Sequence, residues 1–117
     1  MYNNKEVSII IIIKSSMFKR DYKKLEKKHM DKEIEILSKI EGLIIESDSM
    51  KILMLNPLHL TYGIEQKHGN LKEIYTAKLN SKLRIYMKPC SEYPYDNLEN
   101  IVEIEFQKID DKHYEEG

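Results

Sequence analysis

Five consecutive isoleucines stand at residues 9–13, inside the stretch "SIIIIIK". β-Branched side chains lose rotamer freedom against the preceding turn of a helix and pack well on a pleated surface, so the run predicts a strand. It is too short to span a bilayer. A signal peptide would need a longer apolar region and a small-residue cleavage site, and neither is present. With isoleucines pointing both ways, residues 7–14 are expected to form a central strand buried on both faces.

Helical periodicity follows. In "MFKRDYKKLEKKH", Phe18, Tyr22 and Leu25 recur at helical spacing, with Ser15 or Ser16 as the cap. Lys19, Lys23, Lys24, Lys27 and Lys28 give this helix a basic face, read first as a solvated surface and second as a phosphate contact. Asp31 offers another cap, and Ile34, Leu37, Ile40 and Ile44 share one stripe, with Gly42 weakening the end of that helix. "SDSMKILMLN" predicts a short helix capped by Ser47 or Ser49 and ended by Pro57.

The second half changes period. "KEIYTAKL" and "KLRIYMK" alternate about a two-residue turn at Asn80-Ser81, and "IVEIEFQKI" places Val102, Ile104 and Phe106 opposite Glu103, Glu105 and Gln107. The order β-α-α-(short α)-β-β-β makes an α+β domain over residues 1–117. Two or three N-terminal helices would cover one face of a mainly antiparallel, four-stranded sheet, leaving the other open to water. Leu83, Ile85 and Met87 would meet the helices, while Arg84, Tyr86 and Lys88 would line the open face.

The 117 residues suit one domain, and the net charge of −1 argues against coating nucleic acid by bulk electrostatics, though not against a local basic patch. The lone Cys90 cannot form an internal disulfide, so a reducing cytoplasm is the expected location. His29, His59, His68 and His113 occur at no metal-ligand spacing, and no Gly-rich phosphate loop or nucleophile elbow is present. Neither a metal nor another cofactor is expected. Arg84 could fork onto a phosphate or carboxylate. The simpler assignment is a cross-strand ion pair with Glu103 or Glu105. Glu65, Lys67 and His68 read as a solvated charged loop, and His113 and Tyr114 as a polar tail.

Several segments in order resemble the RelE/ParE superfamily of bacterial toxins. They are the lysine-rich "FKRDYKKL", then "KHGNLKEIYTAKLNSKLRIYMKP", then "EIEFQKIDDKHYEEG". The later part is most similar to the HigB and YoeB branches. The resemblance implies a ribosome-dependent mRNA endoribonuclease that works without metal and is silenced by a cognate antitoxin in a hetero-oligomer. It implies that Arg84 holds the scissile phosphate, that Glu65 is the base, that His113 is the acid, and that Tyr114 orients a nucleotide. Lys67, His68, Tyr86 and Lys88 would then contact RNA. A ParE-like branch, aimed at DNA gyrase and lacking the nuclease residues, is the alternative. The loop at residues 89–100 is long beside the family's.

Overall fold

The computed structural model describes residues 9–111. In chain order the elements are β1 (Ile11–Lys14), α1 (Ser16–Lys27), α2 (Asp31–Glu46), α3 (Met50–Leu55), α4 (Leu58–Thr61), β2 (Glu65–Gln66), β3 (Tyr75–Lys78), β4 (Leu83–Pro89) and β5 (Glu103–Asp111). The α+β class stands. The sheet has five strands rather than four, in the order β1-β5-β4-β3-β2, because the two-residue β2 joins its edge. β1 runs parallel to β5 and the other pairings are antiparallel.

Each helix starts and stops for a local reason. Ser15 caps α1, its hydroxyl accepting the Phe18 amide proton at 3.0 Å. α1 closes in a Schellman motif, in which Met30 N–H donates to the Leu25 carbonyl and His29 N–H to that of Glu26. His29 takes the left-handed conformation this requires, at φ 56°. Asp31 is the first residue of α2 rather than its cap, and Met30 stands at the cap position with no side-chain hydrogen bond. Ser49 caps α3, and the chain turns at Asn56-Pro57. The expected stripes hold: Phe18 and Leu25 from α1 and Leu37, Ile40 and Ile44 from α2 are buried. They pack with Ala77, Ile85, Met87, Ile104 and Phe106 of the sheet, and the Phe18 and Phe106 rings meet edge-on at 5.2 Å.

Two strand expectations fail. β1 is an edge strand, with Ile12, and Ile10 just ahead of the strand, turned to the core and Ile11 and Ile13 exposed. It stops after four residues because α1 takes over the edge of β5 beyond it. There the Ser15 hydroxyl donates to the Gln107 carbonyl at 2.7 Å, and the Asp21 carboxylate accepts the Ile109 amide proton at 3.0 Å. Val102 lies outside β5 and is exposed.

Candidate functional site

β5 does not keep one alternation along its length. Met87 is opposite Phe106, but the next residue back, Tyr86, is opposite Lys108, so Gln107 forms a bulge. The core set along β5 is therefore Ile104, Phe106 and Ile109. Without the extra residue, Lys108 and Asp110 would point into the core. With it, they join Tyr86 and Arg84 on the face away from the helices.

That face forms cross-strand rows. Glu65 pairs with Thr76, Thr76 with Tyr86, and Tyr86 with Lys108, while Lys78 pairs with Arg84 and Arg84 with Asp110. Lys88 lies opposite Glu105. Four residues expected at the site, Glu65, Arg84, Tyr86 and Lys88, are thus brought to one face. Glu65 lies two strands from Tyr86, about 10 Å by strand spacing.

The expectation of a bare sheet does not hold at Arg84 and Tyr86, which are 8% and 2% exposed. The Arg84 guanidinium folds back onto its own hairpin. Its Nη1 donates to the Asn80 carbonyl at 2.9 Å and to the Leu83 carbonyl at 3.2 Å. The Tyr86 hydroxyl donates to the Asp111 carbonyl at 2.8 Å, and Lys108 Nζ sits 4.9 Å from its ring centroid. Arg84 faces Asp110 across the ladder, not Glu103 or Glu105, which lie further along β5, with Glu105 opposite Lys88. Thr76 is 1% exposed, and its hydroxyl has no hydrogen-bond partner among the described residues.

Charges ring this row. Lys67 Nζ pairs with the Glu65 carboxylate at 3.0 Å, and Lys88 Nζ with that of Glu73 at 3.5 Å. His68 is exposed ahead of the short 3₁₀ turn Gly69–Leu71. His113 and Tyr114 lie outside the described residues. Among those described, no three His, Cys, Asp or Glu side chains gather as a metal would require, and no helix is long and apolar enough to cross a membrane.

The turn that holds Arg84 is larger than the sequence suggested. β3 ends at Lys78 and β4 starts at Leu83. Asn80 organises the four residues between them. Its side-chain oxygen accepts the amide protons of Lys82 and Leu83, each at 2.7 Å, and its amide donates to Glu33 of α2 at 2.9 Å. The Asn80-Ser81 pair marked a turn but gave no sign of this longer form. Lys78 and Lys108 were also missed. The three-residue step from Phe106 to Ile109 is the one sequence signal that could have exposed the bulge.

No family model and no curated protein matches this chain. Solved structures do. A mutant of YafQ from E. coli superposes with a TM-score of 0.58 at 18% identity, covering 92% of this chain and 99% of that one. The chain shares its fold with YafQ. YafQ in the E. coli DinJ–YafQ toxin–antitoxin complex matches with a TM-score of 0.53 at 18% identity, covering 92% of this chain and 98% of that one. The YafQ match does not single out the HigB and YoeB branches.

Proposed function

We propose that this chain is the toxin of a type II toxin–antitoxin pair in the cytoplasm and that it cleaves mRNA on the ribosome without metal or cofactor. The observation that carries this reading is the row Glu65–Thr76–Tyr86–Lys108 beside Arg84, on the helix-free face of a sheet with YafQ's fold. A cognate antitoxin is the expected partner in a hetero-oligomer, as DinJ is in the YafQ complex.

RNA carries its own nucleophile, so the protein needs only to position it, move protons and offset charge. Glu65 takes the proton of a ribose 2′-hydroxyl, and that oxygen attacks the adjacent phosphorus. The bond from phosphorus to the 5′-oxygen breaks, and His113 protonates the leaving oxygen. The products are a 2′,3′-cyclic phosphate and a 5′-hydroxyl. Arg84, pre-set by the Asn80 and Leu83 carbonyls, stabilises the charge gathered on the phosphate oxygens. Tyr114 stacks on a nucleotide. Lys67, His68 and Lys88 lie along the RNA's path, with Tyr86 buried beneath it as support for the site.

Two observations favour a second reading, a non-nuclease binder of a protein target such as DNA gyrase, or an inactive member. Arg84 is 8% exposed, and the Glu65 carboxylate is already paired with Lys67.

Mapping the 5′ ends of cellular mRNA after induction separates the two. Cuts within translated codons are expected from the parent chain. Glu65→Gln, at an exposed carboxylate, should lower cutting about 10²- to 10⁴-fold, the usual worth of general acid–base catalysis. Arg84→Lys, made alongside and checked for folding by circular dichroism, should also cut poorly. Intact mRNA under the parent chain would leave the second reading in its place.

A further inference from the structure

The connection from β4 to β5 carries two tyrosines, Tyr93 and Tyr95, that link to Tyr75 at the start of β3. Tyr75, 3% exposed in the core, lies 6.2 Å from Tyr95, and Tyr95 meets Tyr93 edge-on at 5.5 Å. The Tyr95 hydroxyl donates to the Glu73 carbonyl at 2.6 Å, which fixes the middle ring to the loop ahead of β3. Tyr93, the outermost ring, is 38% exposed, and Lys72 Nζ sits 5.3 Å from its centroid. Beside it opens a groove of about 310 Å³ lined by Glu92, Tyr93, Asp96, Asn97 and Asn100, among others.

Tyr95 already closes the loop onto the body, so the outer ring is surplus to that task. A fixed, half-open phenol with an ammonium at its face has what a single-stranded base needs. Any base can stack on a ring, and a nearby cation offsets the phosphate. Asn97 and Asn100 amides both donate and accept, as a Watson–Crick edge does. Glu92 and Asp96 can accept from amino groups of a base and would repel its phosphate. They select a base in the groove with its backbone toward Lys72. Lys88, paired with Glu73 at 3.5 Å, joins this end of the molecule to the Arg84–Tyr86 strand.

We propose that the Tyr93 loop is a base-binding subsite, in which one unpaired base of single-stranded RNA stacks on Tyr93 with its phosphate at Lys72. This rests on the RNA-cleaving reading and extends it to a position beyond the reacting bond.

The chain has no tryptophan, so Tyr93→Trp installs a unique fluorophore. The full-length variant is titrated with 2′-O-methylated single-stranded RNA, which cannot be cleaved. Saturable quenching that weakens with salt is expected. In the parent background, Tyr93→Ala should weaken binding of a labelled oligonucleotide about five- to hundredfold. Tyr93→Phe should bind like the parent, and far-ultraviolet circular dichroism checks that each variant folds. Unquenched fluorescence, or parent-like binding by Tyr93→Ala, overturns the subsite even if mRNA is cut in cells. Quenching in a chain that cuts no mRNA sustains the subsite and overturns the nuclease. Shielding of the fluorophore by a partner protein but not by RNA also overturns the subsite.

Discussion

Asn80 is the residue on which the candidate site leans most heavily. Its side-chain oxygen closes the β3–β4 turn, its amide reaches α2, and its carbonyl receives Arg84. Asn80→Ala orphans two backbone amides and should cost about 2 kcal/mol in urea denaturation from those two bonds alone, at about 1 kcal/mol each, with the bond to Glu33 lost besides. The loss should depend on pH. The Asn80 hydrogen bond holds the Glu33 carboxyl below the usual glutamate range. A lowered folded value stabilises the protein above the ordinary glutamate pKa and ceases to do so as pH falls through the folded one. The gap between parent and Asn80→Ala should therefore narrow in acid. Asn80→Asp keeps the turn's acceptor but sets a carboxylate against Glu33, whose titration by NMR should move upward. None of this could be read from "LNSK", because Glu33 stands far off in sequence and is brought near only by packing.

At the scale of elements, the sequence was legible wherever one period persisted. The stripe from Ile34 to Ile44 and the alternation from Leu83 to Met87 each fixed the face an element buries. The reading failed where a distant partner intervened. β1 looked central because its isoleucines face both ways, yet α1 ends its pairing and leaves it at the margin. The second face of β4 was assigned correctly, but its burial was not, since alternation gives direction and says nothing of cover. Gly42 was expected to weaken the end of its helix. α2 runs through it to Glu46, so the glycine sits inside the helix near its end, and an added Cβ there meets nothing within 4 Å. Gly42→Ala should therefore raise stability by about 1 kcal/mol through the helix backbone, seen as a Tm about 4 °C higher in a thermal melt.

At the scale of the whole molecule, the sheet presents an apolar margin. Ile11 and Ile13 are 54% and 40% exposed on a strand at its edge. Exposed hydrophobic edge strands template association with other chains. The double change Ile11→Thr and Ile13→Thr should lower self-association in sedimentation velocity and leave the melting temperature within a few degrees. The bulge at Gln107 reaches further, into how this chain is compared with others. Residues before and after it have opposite parity, so against a strand that lacks the bulge an ungapped alignment would match core positions to surface ones from Lys108 onward. A relative without the bulge would align across this strand only with a one-residue gap at Gln107.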